Sequence, residues 1–316
     1  MAITQASSLS VDQQAFDQIA YFALRSEMLF DAAADVQPVA QSMPGSSVTF
    51  TIFSELADAT STLSETVDLT PTTMADSQVS VTLAEYGNTV NTTAKLRGTS
   101  FLDVDAVAAN LIGYNAGSSI DTVVANVLKA ATNVVYGGGG ASTPTSNATV
   151  AAEDIVEAND IRIVTAQLRG AKAQSFNGMY MAFIHPDVSY DLRRETGAAS
   201  WRDPHVYSNI GPIYNGEIGA FEAVRFIETP RAPIDLTGGS GGTVDLYSTI
   251  IMGRQSLAKA HSITDGNGAY PKVVRGPVVD SLMRFNPVGW YWLGGYGIFR
   301  QAAIRVINSS SSLGGS

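Results

Sequence analysis

The residues Gly238-Gly239-Ser240-Gly241-Gly242 have the G-x-S-x-G form of a nucleophile elbow. That elbow works as a tight turn between a strand and a helix, which leaves the serine hydroxyl exposed beside a base. Here the glycines follow Pro233 and lead into a segment that reads as a strand, so the context predicts a flexible loop. The four glycines at 137–140 lack the Gly-Lys-Ser/Thr that a phosphate loop requires, and they read as the end of a helix. His185, His205 and His261 show neither i,i+4 spacing nor an H-E-x-x-H motif, so nothing displays metal-ligand spacing. His185, before Pro186-Asp187, reads as a local hydrogen-bonding group at a helix start. The acidic pairs Asp103/Asp105 and Glu153/Asp154 fall where helices should begin and complement the helix dipole. Trp290 and Trp292 alternate with Tyr291, which puts both indoles on one strand face, as core or as interface anchors. These patterns predict no catalytic residue, no cofactor and no metal.

Composition agrees with a chain that meets partners rather than substrates. Of the 316 residues, 45% are hydrophobic and only 15% are charged, against about 25% charged in typical soluble domains. A surface so poor in charge suggests coverage by neighbouring subunits. There are no cysteines, which excludes disulfides and thiolate metal sites. No apolar run reaches the ~18 residues of a membrane span. The start, Met1-Ala2-Ile3-Thr4-Gln5, lacks signal-peptide character, so a cytoplasmic site of synthesis and assembly is expected. The net charge of −10 is not spread evenly. Residues 1–94 hold eleven Asp/Glu and one basic residue, Arg25, while residues 95–316 hold eighteen of each sign. Such a first third serves solubility or lies on a more basic surface of a neighbour. It disfavours sequence-specific DNA binding, which needs clustered Lys/Arg.

The element pattern is α+β. Residues 10–34 read as a helix opened by the S-x-x-Q capping box Ser10-Val11-Asp12-Gln13. Residues 47–53 alternate strictly, with Val48, Phe50 and Ile52 on one face, and 79–83 alternate in the same way. About 25 polar, acidic residues lie between these strands. An isolated hairpin of this kind is marginal in water, so it should pack on another molecule. Residues 103–135 carry a helical stripe that would span about 50 Å, with Gly113 and Gly117 as places for a kink. A helix is expected over 151–169, and strands over 179–184, 221–227 and 244–252. Short helices are expected after His185 and over 254–260, strand-rich segments over 272–285 and 289–307, and a disordered tail over 309–316.

That order of elements resembles the tailed-phage capsid fold of the Hong Kong 97 type. The local sequence is similar to the branch typified by the coliphage N-four major capsid protein. The resemblance is carried by Leu63-Ser64-Glu65 with Asp68-Leu69-Thr70-Pro71, and by Val79-Ser80-Val81-Thr82-Leu83 with Glu85-Tyr86-Gly87-Asn88. It continues in Tyr180 to Asp187, in Ile213 to Gly219 with Phe226 to Thr229, and in Val288-Gly289-Trp290 leading to Ile304 to Ile307. It covers roughly residues 15–307.

The resemblance implies an N-terminal arm over 1–45, an extended hairpin loop over 46–94 and a peripheral domain with a spine helix over 95–176. An axial domain follows over 177–286, then peripheral return strands over 287–308 and a tail over 309–316. It implies homo-hexamers and pentamers closing into an icosahedral virion capsid around double-stranded DNA, without sequence-specific contacts. Scaffolding, decoration and portal proteins are further partners it implies. Candidate subunit-interface residues are Val48, Phe50, Ile52, Val79 and Val81 on the hairpin arms and Glu65 and Asp68 at its tip. Arg193, Arg194 and Arg202 are candidate basic partners for the acidic tip. The founding member of the fold crosslinks subunits through a loop lysine; residues 46–94 hold no lysine, and Lys95 sits at the hairpin base, so a noncovalent shell is expected. The alternatives are an encapsulin-like compartment, which neighbouring cargo-enzyme genes would indicate, and a hydrolase using Ser240 or a histidine.

Overall fold

The computed structural model describes residues 29–36, 47–60, 62–63, 65–66, 68–99, 104–138, 144–195, 217–262, 270–276, 281–282 and 284–314. Most of the helix expected over 10–34 lies outside them, as do Arg202 and His205. The described end of that segment is a 3-10 turn, Phe30–Ala33, followed by a short strand β1, Asp35–Val36.

Strands β2 (Ser47–Phe53) and β3 (Asp76–Thr82) pair antiparallel, with Val48 opposite Val81 and Phe50 opposite Val79. After Leu83 the chain runs directly into β4 (Ala84–Thr93), a strand the sequence pattern did not distinguish from the hairpin. A short helix α1 (Ala94–Thr99) leads to α2, Val104–Lys129. Twenty-six residues make this helix about 39 Å long, not 50 Å. It ends early because Val134–Tyr136 forms strand β5, so Val135 belongs to a sheet and the glycines from 137 follow a strand rather than a helix. Gly113 and Gly117 neither kink nor divide α2; they are buried on its packed face. Val107 and Leu111, expected in the buried stripe, face outward at 56% and 57% exposure.

Helix α3 is Ala158–Gly170, so Glu153 and Asp154 precede it instead of opening it. Its first turn is closed by carboxylates from two sides. Asp160 accepts from the Glu157 amide at 3.0 Å, and Glu195 accepts from the Ala158 amide at 3.0 Å. Strand β6 (Tyr180–Ile184) leads to α4 (Pro186–Arg194), where His185 is the N-cap and Pro186 takes the first helical position. The span 221–227 is a hairpin rather than one strand: β7 (Glu217–Phe221) and β8 (Val224–Glu228) turn at Glu222-Ala223, both at positive φ. Glu-Ala carries none of the Asn-Gly signal of such turns. Strands β9 (Ile234–Asp235), β10 (Leu246–Met252), β11 (Leu257–His261), β12 (Lys272–Arg275), β13 (Phe285–Ile298) and β14 (Ile304–Ser309) complete the described chain.

The helix expected over 254–260 is thus a strand. Ser-Leu-Ala-Lys-Ala favours helix locally, but every residue of β11 is buried and paired, and tertiary context overrides propensity. The tail is likewise ordered up to Gly314. Ser310 Oγ donates to the Ala152 carbonyl at 3.0 Å, while the Ser311 hydroxyl and the Ser312 amide both donate to Asp191 Oδ2 at 2.8 Å. Polar docking of this kind leaves no hydropathy signal.

Among the described residues the strands form three sheets. One holds β1, β11, β13, β12 and β4, with the long β13 pairing β4 on one edge and β11 and β12 on the other. The second runs β5-β14-β10-β6-β8-β7, with β9 also on β10. The third is the β2–β3 hairpin. Helix α2 lies over the first sheet and reaches the second. Ile112, Ile120, Val124 and Leu128 pack with Trp290, Trp292, Phe183, Ile250 and Val306 in one core. Both tryptophans are therefore core residues. On the opposite face of the second sheet, Ile161, Val164 and Leu168 of α3 and Val188 and Leu192 of α4 pack on Ala182, Phe226, Ile251 and Ile307. Covered on both faces, β10 is buried along its whole length, including Ser248 and Thr249 at its centre.

Candidate assembly surface

The hairpin divides into two parts. At its base Val48, Phe50 and Val81 are 7%, 6% and 1% exposed and pack on Ala258 and Ala260 of β11 within the same chain. The Phe50 ring meets Phe299 edge-on at 5.9 Å. Glycines make this seating possible. A methyl group on Gly297 would stand 2.8 Å from Val81 Cγ2, and one on Gly295 would overlap the Thr82 carbonyl. The run Gly294-Gly295-Tyr296-Gly297 is the sequence signal for a close crossing, visible only once its partner is known. The expectation that the hairpin buries little against its own chain is thus corrected at its base. Of the five arm residues named as interface candidates, Val48, Phe50 and Val81 are covered internally, while Val79 and Ile52 remain partly exposed.

Beyond Ile52 the character reverses. Phe53, Leu56, Leu63, Leu69 and Met74 are 54–76% exposed, and Glu65 and Asp68 lie among them on the surface. Leaving five large apolar side chains in solvent within one 22-residue excursion is unfavourable for an isolated monomer and makes the tip a candidate surface for association. A second exposed apolar row, Val107, Leu111 and Tyr114, follows the i, i+4, i+7 spacing along the outer face of α2.

Charges near the tip are partly engaged within the chain. Lys172 Nζ lies 2.7 Å from Glu55 Oε2, and this contact holds the Glu55 carboxyl below its usual range. Both groups are well exposed. Arg193 donates to the Ser189 carbonyl at 3.2 Å and stands 3.7 Å from Glu228, so its guanidinium serves α4 and β8 of its own subunit. Arg194 lines an acidic cleft with Glu153, Glu157, Asp191 and Glu195. The structure brings neither arginine to Glu65 or Asp68; a basic side chain it places beside the hairpin is Lys172, which the sequence did not single out.

His185 and Ser240 have structural partners. His185 Nδ1 accepts from the Asp187 amide at 3.2 Å, as the sequence suggested, and burial holds its imidazole below the usual value. Ser240 sits in a 3-10 turn with its amide bonded to the Val150 carbonyl at 2.8 Å, and strand β10 follows, so no elbow forms. His261 is a buried member of β11, and burial and then Lys259 depress its pKa. Among the described residues no group of three or more His, Asp or Glu is placed to hold a metal ion, and no helix is long and apolar enough to cross a membrane.

One buried ionic cluster escaped the sequence reading altogether. Lys259, 1% exposed, donates to both carboxylate oxygens of Asp31 at 2.7 and 2.8 Å, and the Tyr296 hydroxyl donates to Asp31 at 2.7 Å. Burial lowers the Lys259 pKa and, with the Asp31 charge, raises that of Tyr296. Asp31 and Lys259 are 228 residues apart, and no local pattern could have joined them.

Comparison with known proteins places this geometry. The chain is similar in structure to the capsid of Ralstonia phage GP4, with a TM-score of 0.72, 16% identity, and 91% of this chain and 90% of that one covered. It is similar to the capsid of Cyanophage P-SCSP1u, at TM-score 0.67, 15% identity, and coverage of 90% and 89%. The Cyanophage Pam1 capsid gives TM-score 0.65, 17% identity, and 92% of each chain. At these identities the likeness is one of fold, and that fold is the mixed α+β capsid fold expected from the element order. No curated protein matches the chain. A family model described as "Phage capsid protein" matches residues 5–310, nearly the whole length. The chain belongs to the phage capsid protein family and is a structural component of the virion shell.

Proposed function

We propose that the chain is the major head subunit of a tailed phage, assembling as hexamers and pentamers into an icosahedral shell around packaged double-stranded DNA. The observation that carries this reading is the hairpin: a base fixed to its own sheet, and a tip whose apolar residues have no cover in the monomer. In the shell the tip lies on a neighbouring copy, and the apolar row on α2 is a surface of matching character. Apolar burial supplies most of the association energy. The tip carboxylates Glu65 and Asp68 set orientation, and exposed single pairs contribute only about 0–1 kcal/mol each. Arg194, and Arg193 once released from Glu228, are basic partners for that tip.

The segment likenesses quoted above support placement in the coliphage N-four branch and the division into arm, extended loop, peripheral and axial regions. Scaffolding, decoration and portal proteins are the further partners of such a subunit. With no lysine in residues 46–94 and Lys95 held in α1, the shell is noncovalent. Electron microscopy of purified heads tests the proposal: icosahedral particles with this chain as the dominant band and no crosslinked ladder on a denaturing gel are expected. Open aggregates, or a minor band, would refute the head-subunit reading; a ladder would refute the noncovalent one. Reversing Arg193 and Arg194 together to Glu should lower the yield of closed heads while the monomer still melts cooperatively, and normal heads would remove these arginines from the interface.

A further inference from the structure

The described residues 29–36 contact the rest of the molecule as a ligand contacts a receptor. Within the segment, the backbone hydrogen bond outside its short strand is one turn bond, from the Ala34 amide to the Asp31 carbonyl at 3.0 Å. The other described contacts reach residues that are remote in sequence. Asp121, wholly buried on α2, accepts from the Leu29 and Phe30 amides at 3.2 and 3.1 Å and is itself approached by Arg231 at 3.4 Å. Phe30 is 0% exposed, and its ring lies 4.5 Å from that of Phe183 on β6. Asp31 enters a pocket made by Lys259 of β11 and Tyr296 of β13, and the rings of Tyr270, Tyr296 and Trp292 surround the ammonium at 4.9–5.9 Å. Asp35 and Val36 then add a parallel strand to β11, opposite Ala258 and Lys259.

These are the parts of peptide recognition by strand addition: backbone pairing at a sheet edge, one apolar pocket and one charged pocket. The receptor groups come from four elements that are already packed together without the segment.

We propose that Asp121, Phe183, Lys259 and Tyr296 form a recognition groove for a Phe-Asp peptide segment, filled in this structure by the chain's own residues 29–36 as a detachable strap. The groove explains why a lysine sits nearly without exposure in β11: its charge is neutralised by the strap and by nothing else described at that distance. A buried charge without its partner is strongly unfavourable. The groove is therefore either filled by this strap or by the same segment of a second copy, and release in one subunit favours exchange over vacancy.

The test uses the full-length chain with Phe30→Ala and Asp31→Ala together, and a fluorescent synthetic peptide covering residues 27–38. The variant should keep a cooperative melt and bind the peptide in trans, while the unaltered protein, with its groove filled, should not. A peptide carrying Asp31→Ala should bind more weakly by about a hundredfold or more, and adding Lys259→Met to the variant should abolish discrimination between the two peptides. A folded variant that ignores the peptide would overturn the proposal. So would a variant that loses its cooperative melt, because the segment would then be integral core rather than a strap. Equal affinity for the two peptides would remove the charged pocket from recognition and overturn the groove as assigned.

Discussion

Strand β10 is buried at all seven positions, and its apolar residues are covered by helices and strands of the same chain on both faces. The hairpin from Ser47 to Thr82 starts in the same way, with Val48, Phe50 and Val81 enclosed, and then exposes Phe53, Leu56, Leu63, Leu69 and Met74. Both regions are rich in large apolar side chains, so hydrophobicity alone does not separate them. The difference is whether the chain supplies the second surface. The seven-stranded sheet has α3 and α4 on one side and α2 on the other. The hairpin tip has neither, and in the proposed function the missing surface is that of another copy. Stability of the monomer and stability of the shell are therefore written into different residues, and substitutions should separate them.

The largest expected effect lies in the self-contained region. Phe226→Ala should lower monomer stability by about 3–5 kcal/mol, because Phe226 is fully buried between β8 and the α3/α4 layer; denaturant melts of unassembled protein measure it, and a loss under 1 kcal/mol would mean that this core is loosely packed. Next comes the junction of the two regions. Gly295→Val should cost about 1–3 kcal/mol by overpacking against the Thr82 carbonyl, and by lifting the hairpin it should also stop head formation. Assembled heads from that variant would show that the angle of the hairpin does not matter.

Leu63→Ser with Leu69→Ser should leave the monomer melt within about 0.5 kcal/mol, as for surface changes generally, yet reduce closed heads in sedimentation. Equal destabilisation of the monomer would show that the tip, like the core, stabilises the single subunit. The smallest effect concerns pH. Burial keeps His185 below its ordinary value of 6.5, so the folded protein holds it neutral while the unfolded chain takes up a proton as the pH falls through that value. The unfolded state then binds more protons, and stability falls as pH drops below about 6.5. Protonation also removes the acceptor that caps α4. His185→Asn keeps a capping oxygen and does not titrate, so it should retain about 0.5–1 kcal/mol more than the parent at pH 5.5, relative to pH 7; parallel curves for the two proteins would exclude His185 as the titrating cap.

Periodicity located β2 and most of β3, the body of α2, strand β6 and the His185-Pro186 helix start, since each of these is specified by neighbours a few residues away. It failed at β11, where a helix-favouring run is held as a strand by β13. It failed again at the Glu222-Ala223 turn, which lacks turn chemistry, and at the serine tail, which hydrogen bonds rather than hydrophobicity hold down. A hairpin with an exposed tip was legible from the length and acidity of the segment between its strands. Which of its residues face outward was not, because Val48 and Leu63 are equally apolar and differ only in whether β11 lies beneath them.

The resemblance of its ordered segments to phage capsid chains supplied the class of molecule; the residues by themselves determined an α+β chain with one long acidic hairpin, no cysteines and no ligand motif. Local spacing and composition are enough for that, because helices, strands and charge blocks are short-range properties. Tertiary structure alone decided the inward and outward faces of the hairpin, the crossing at Gly295 and the seating of Asp31 on Lys259. Each of those depends on a contact between residues far apart in the chain, and what a side chain meets there is set by the whole fold.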